Sequence, residues 1–248
     1  MNELQLERYS RQILLPNFDI AGQDRLLNAK ILIIGMGGLG NIAAAYLAAA
    51  GVSQLTLVDD DVVEVSNLQR QVLYRNQDIG QNKAAAAAVQ LGQLNPDSVI
   101  EIVTERLDDN ALAAHIANVD LVLDCSDNFA TRQQINRECY RLSTSLVSAA
   151  AIRWEGQLMS FLYHQQTGPC YQCLYPNLSD QQLNCSQSGI ISPVVGSLGV
   201  LQALDALKII SQCGVVQHAL LRLFDGFTGQ WREVKLTQDP ACSICAGG

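Results

Sequence analysis

Lys30-Ile31-Leu32-Ile33-Ile34 runs directly into Gly35-Met36-Gly37-Gly38-Leu39-Gly40, and an alanine-rich segment at 41–50 follows. Five nearly all-apolar residues, a glycine turn and a helix-forming stretch spell strand, loop, helix. A second apolar run, Leu55-Thr56-Leu57-Val58, ends in Asp59-Asp60-Asp61 at the distance a βαβ crossover requires, so the two strands should pair in parallel. The glycines let the backbone turn sharply and approach a phosphate. The first turn of the next helix offers N–H donors with partial positive charge. A nucleotide is therefore expected at Gly35, Gly37, Gly38 and Gly40, with Asp59 at a ribose. The bland alternative is a tight turn needed only for packing.

Outward from that unit the alternation continues. A helix at 83–94 is stopped by Asn95-Pro96-Asp97, and a strand at 99–103, a helix at 110–118 and a strand at 119–124 come next. Asp127 and Asn128 then fall just past the carboxyl end of a strand, where open parallel sheets place their ligands. Another strand is expected at 146–150. Beyond Arg153 the pattern changes: 156–163 and 219–225 read as extended, 230–236 alternates, 193–211 reads as a helix, and polar sequence fills 175–192. The expected fold is α/β. A Rossmann-like, mostly parallel sheet with helices on both faces, preceded by an N-terminal arm, takes residues 1–152. A mixed, antiparallel layer takes 153–248 of the same compact domain.

Composition narrows the function. The chain has 248 residues, 48% hydrophobic and 16% charged, enough for one large α/β domain with part of its surface covered in an oligomer. Its formal charge of −8 works against nucleic-acid phosphates or an anionic membrane as partners. Met1-Asn2-Glu3-Leu4 lacks the basic start of a signal peptide, and no run reaches the ~18 uninterrupted apolar residues of a membrane span. The expected location is the cytoplasm. There, eight cysteines point to metal binding or reactivity instead of a disulfide framework.

The glycine loop and Asp59 alone would suit NAD or FAD. Ser66-Asn67-Leu68-Gln69-Arg70-Gln71 and Lys83 bring two cations and several amides after the second strand, more than a dinucleotide requires. A triphosphate would use them, and Asp127 would hold the Mg²⁺ that bridges its oxygens. Each residue has a plainer reading. Arg11 and Arg70 would be solvated cations, Lys83 an exposed helix start, and Asp127 the N-cap of a helix beginning near Thr131.

Cys170-Tyr171-Gln172-Cys173 and Cys242-Ser243-Ile244-Cys245 supply four thiolates in two C-x-x-C pairs, the set of a closed, structural Zn²⁺ site. A redox pair is the alternative, although neither motif is expected to open a helix after a strand. Cys185 lies in the polar segment and is a candidate nucleophile. Cys125, Cys139 and Cys213 read as core, and His115, His164 and His218 as structural or surface residues.

R-Y-S-R-Q-I-L-L at 8–15, G-M-G-G-L-G, V-D-D-D, S-N-L-Q-R-Q, D-C-S-D-N at 124–128 and the two cysteine pairs resemble the MoeB/ThiF family, over essentially the whole chain. That resemblance implies an enzyme that adenylates the C-terminal glycine of a ubiquitin-like sulfur carrier with MgATP and releases pyrophosphate. The carrier would be MoaD-like or ThiS-like, serving molybdopterin or thiamin biosynthesis. It also implies a homodimer in which Arg11 reaches the neighbouring active site. By the same matching, Gly38 sits at the nucleotide and Asp59 at the ribose. Asn67, Arg70 and Lys83 sit at the phosphates, with Asp61, Ser66, Leu68 and Gln69 in the same strings. Asp127 is the Mg²⁺ ligand with Asn128 beside it, and Cys185 matches a cysteine associated with a covalent bond to the carrier. Sulfur is expected from a separate donor protein. An NAD-dependent oxidoreductase, and a nucleotide-binding scaffold without chemistry, are the competing readings.

Overall fold

β1 (Lys30–Ile34) is buried from its second residue onward, as is β2 (Gln54–Val58) apart from its first. Strands covered on both faces read as continuous apolar runs. Side chains of successive residues leave opposite faces, so Ile31 and Ile33 enter one core while Leu32 and Ile34 enter the other. Leu121, Leu123 and Val122 of β4 (Leu121–Asp124) divide in the same way. The structure, a computed structural model, describes residues 1–176 and 189–246.

The first core is closed by α3 (Gly40–Ala50), α4 (Lys83–Leu94) and α8 (Ser192–Ser211), the second by α5 (Asp109–Ile116) and α6 (Phe129–Arg141). With β3 (Val99–Val103), β5 (Ser145–Ile152), β6 (Glu155–Phe161), β7 (Leu220–Asp225) and β8 (Gln230–Lys235), the described residues form one eight-stranded sheet. Its order is β3-β2-β1-β4-β5-β6-β7-β8. Pairing is parallel as far as β5 and antiparallel from β5 to β8. The change at residue 152 is a hairpin within the sheet, with Ile152 opposite Glu155 and Arg153 at φ +55° in the turn. The antiparallel part thus continues the parallel one edge to edge.

Register sets the site. Ile34 is aligned with Val58 on one side and Asp124 on the other, so Gly35, Asp59 and Cys125 emerge together at the carboxyl edge. β2 and β4 flank β1 on opposite sides, which makes this the point where strand order reverses, the usual ligand crevice of a doubly wound sheet.

α1 (Glu3–Ile13) and α2 (Asp19–Leu26) form the N-terminal arm. Tyr9 packs at the far end of α3, where a Cβ on Gly51 would lie 2.6 Å from its ring. α8 is long and apolar enough to cross a membrane by length and composition, with a mean hydropathy of 1.5 over 18 residues. In this fold it lies across the glycine loop: a Cβ on Gly199 would sit 2.6 Å from the Leu39 carbonyl oxygen. It also carries buried Gln202 and Asp205, both hydrogen-bonded.

Candidate active site

A cavity of about 690 Å³ opens at the strand-order reversal. Gly35, Gly37 and Gly38 form one wall. Gly35 has φ +92°, and a Cβ there would lie 2.7 Å from the Cys125 carbonyl oxygen, so only glycine fits. α3 begins here with no side-chain cap; the Gly37 carbonyl takes the Asn41 N–H at 3.2 Å, and the helix start presents its partial positive charge at the loop. Gly40 is different. It does not line the cavity, and its hydrogen faces the backbone of Gly35, 1.9 Å from where a Cβ would be. Its place is in the packing of the loop.

Asp59 receives the N–H of Met36 at 2.6 Å and that of Asp61 at 2.9 Å. Burial pushes its carboxyl pKa up, while the charge of Lys83 and the two N–H bonds pull it down. The Nζ of Lys83 lies 2.8 Å from the Asp61 carboxylate. The hydroxyl of Tyr74, which the sequence reading did not single out, donates to the Met36 carbonyl at 2.7 Å and approaches the Lys83 carbonyl at 3.1 Å. It ties the loop to the start of α4. Ser66, Asn67 and Arg70 line the cavity, whereas Leu68 and Gln69 do not. Gln71, the last residue of the same string and one of its amides, lines the cavity as well. It is buried under the loop, and its Oε1 has no hydrogen-bond partner among the described residues.

Asp127 and Asn128 lie at the cavity's edge, on the turn after β4. Asn128 caps α6, accepting the Thr131 N–H at 2.9 Å. The capping role weighed for Asp127 therefore belongs to its neighbour, and Asp127 is exposed with no hydrogen bond of its own among the described residues. The turn is fixed from below by buried Asp124, which accepts from Ser126 and Ser148 at 2.6 Å each and pairs with Arg132 at 3.3 Å. Gln202 of α8 binds the Asp124 carbonyl at 2.9 Å. Asp124 and Ser126 belong to the D-C-S-D-N string, whereas no sequence pattern marks Arg132, Ser148 or Gln202. Phe129, Gln157, Tyr171 and Tyr175 form the opposite wall.

Arg11, in the last turn of α1, is exposed and does not line this cavity. α1 sits at the far end of α3, and the 11 residues of α3 span about 16 Å at 1.5 Å per residue. Cys185 lies outside the described residues.

Cys170, Cys173, Cys242 and Cys245 converge, all four sulfurs within 4.8 Å of one another. Cys170 approaches Cys242 at 3.7 Å and Cys173 approaches Cys245 at 3.3 Å. Metal–sulfur bonds of about 2.3 Å in a tetrahedron put sulfurs about 3.8 Å apart, so the set fits a metal such as zinc; disulfides, with S–S near 2.05 Å, are far shorter. The Asp239 N–H points at the Cys173 sulfur from 3.4 Å. Cys170 stands just before a one-turn helix, α7 (Tyr171–Leu174), without capping it, and the helix is reached through a turn instead of a strand. Cys125 and Cys139 are buried and burial raises both thiols. Cys213 corrects the core reading: it is only half-buried, and its sulfur donates to the Asn17 carbonyl. His218 accepts the Leu162 N–H at 3.0 Å, and His164 bonds Ser145. His115 closes α5 in its last turn.

A family model described as the ThiF family matches residues 9–244. The chain belongs to the ThiF family. Among its ThiF-family relatives, the sulfur carrier protein ThiS adenylyltransferase of Escherichia coli strain K12 is 47% identical over 248 residues, covering 100% of this chain and 98% of that protein. The molybdopterin-synthase adenylyltransferase of Salmonella typhimurium strain LT2 is 43% identical over 245 residues, covering 99% and 98%. Among solved structures, E. coli MccB with ATP superimposes at a TM-score of 0.84 with 25% identity, over 99% of this chain and 75% of that one.

Proposed function

We propose that this chain is an adenylyltransferase that activates the C-terminal glycine carboxylate of a ubiquitin-like sulfur carrier, using MgATP and releasing pyrophosphate. The observation that carries the reading is one cavity bringing together the glycine loop, Asp59, Asn67, Arg70, Lys83 and Asp127. Near-full-length likeness to two named adenylyltransferases supports it. Its volume is that of a small-molecule site.

The carrier's carboxylate is ionised at neutral pH, so it attacks without a general base. An oxygen of that carboxylate bonds to the α-phosphorus, and the bond from that phosphorus to the pyrophosphate oxygen breaks. The chain's task is to align the two groups and stabilise the charge that develops. The uncapped start of α3 receives phosphate oxygens, Asp59 takes the ribose, and Arg70 and Lys83 face the departing pyrophosphate. Arg11 serves the neighbouring subunit of a homodimer, which suits its distance from its own cavity. Asp127 would hold Mg²⁺, which would supply charge neutralisation at the phosphates. Cys170, Cys173, Cys242 and Cys245 would hold Zn²⁺ in a structural role, since four thiolates leave no open position. Sulfur reaches the activated carrier from a separate donor. The chain works in the cytoplasm, where free thiolates persist. An oxidoreductase would leave Arg70, Lys83 and Asp127 without a task.

The test is carrier-dependent ATP–pyrophosphate exchange, with a MoaD-like and a ThiS-like carrier side by side and Asp127→Ala as control. Exchange with one carrier, lost in the variant, names the substrate. No exchange with either carrier overturns the reading.

A further inference from the structure

Asn136 stands between the cavity wall and the four sulfurs. It lies on α6, four residues after Arg132 and eight after the cap Asn128, so the three share one broad face of the helix. Its side chain is wholly buried. Its oxygen accepts two bonds, from the Tyr171 backbone N–H at 2.9 Å and the Tyr163 hydroxyl at 2.6 Å. A backbone N–H can only donate, which settles which end of the amide is oxygen and turns the nitrogen the other way.

Among the described residues that nitrogen has no hydrogen-bond partner. Buried amide donors are nearly always paired, so this one calls for an acceptor. Tyr171, whose N–H Asn136 holds, directly follows Cys170, which sets the Asn136 amide beside that cysteine. A neutral thiol accepts weakly, whereas a metal-bound thiolate carries the charge that makes an N–H···S bond strong. Cys173 already faces such a donor in the Asp239 N–H.

We propose that Asn136 is a positioning residue for the metal centre, donating its amide N–H to the metal-bound Cys170 thiolate while its oxygen holds the Tyr171 backbone. The inference rests on the reading of the four cysteines as a metal site. Its consequence reaches the cavity. Tyr171 lines that cavity, its ring 6.2 Å from Phe129 and 5.4 Å from Tyr175. One side chain therefore joins metal occupancy to the aromatic wall opposite the glycine loop.

Asn136→Asp keeps shape and acceptor oxygen and removes the N–H donor. The wild-type chain and this variant are loaded with Co²⁺, and their sulfur-to-cobalt charge-transfer bands and metal affinity against a chelating dye are compared. The expected result is displaced bands and an affinity about 10- to 100-fold lower, the usual range for an outer hydrogen-bond partner. Superimposable spectra with affinity unchanged overturn the assignment of Asn136 and leave the metal site standing. A wild-type chain that takes up neither Zn²⁺ nor Co²⁺ overturns both. If the aspartate variant does not fold, wild-type chain loaded with NMR-active cadmium decides the matter. Through-bond coupling between the Asn136 amide proton and the metal supports the bond, and a resolved amide signal without coupling overturns it.

Discussion

The Lys83 ammonium sits 2.8 Å from the Asp61 carboxylate, and the two ends of the pair differ: the lysine side chain is 9% exposed, the aspartate 70%. With one end in water, the pair adds under about 1 kcal/mol to stability, so its chief effect is to hold a buried cation at the cavity. Lys83→Ala should lower the rate of pyrophosphate exchange by about 10²- to 10³-fold, the usual loss for one charge-stabilising donor. Asp61→Ala should change denaturant stability by less than about 1 kcal/mol and cost less activity than Lys83→Ala. Equal rate losses in the two variants would make the pair, not the lysine, the functional unit.

Two glycines of one loop should fail in different ways. A Cβ on Gly37 meets only the Gln71 amide nitrogen, at 3.7 Å, in ordinary contact, and otherwise projects toward the cavity. Gly37→Ala should fold with a melting temperature close to that of the parent and bind ATP weakly. A Cβ on Gly40 would collide with backbone at 1.9 Å. Gly40→Ala should therefore lose soluble, folded protein, with a cost at or above the 1–3 kcal/mol typical of overpacking. Circular dichroism with ATP titration separates the two, and a well-folded Gly40→Ala that merely binds ATP poorly would contradict the packing role.

Ligand-linked stability discriminates nucleotides without a carrier. MgATP at 100 times its dissociation constant should stabilise the chain by about 2.7 kcal/mol. NADH should give no shift. Stabilisation by NADH and not by MgATP would reverse the assignment of the cavity.

Metal removal should unfold one region first. The four cysteines join the 170–173 turn to the C-terminal segment 242–245, and they pack in the same core as α5 and α6. Cys173→Ser should release the metal and lower the unfolding midpoint, because binding free energy at such a site is folding free energy. Metal content by atomic spectroscopy and thermal melting check this; unchanged zinc content would remove the claim.

What the sequence determined by itself was everything written in short, contiguous strings. The βαβ unit, the helix at 83–94 and the strand at 99–103 are found where periodicity and glycine placed them, because strand and helix periods are local properties. The cysteine spacing likewise announced a four-sulfur set. Tertiary structure alone decided the rest. It gave the α6 cap to Asn128 instead of Asp127, since both carboxylate and amide can cap and only the backbone geometry chooses. It placed Gly40 in packing, left Cys213 half-buried, and laid α8 over the glycine loop through Gly199. It also set Arg132, Gln202 and Asn136 as buried supports. These assignments depend on contacts between residues far apart in the chain, as between Asp124 and Gln202 or Asn136 and Tyr171, and no local pattern of residue types encodes which distant partner a buried polar group will meet.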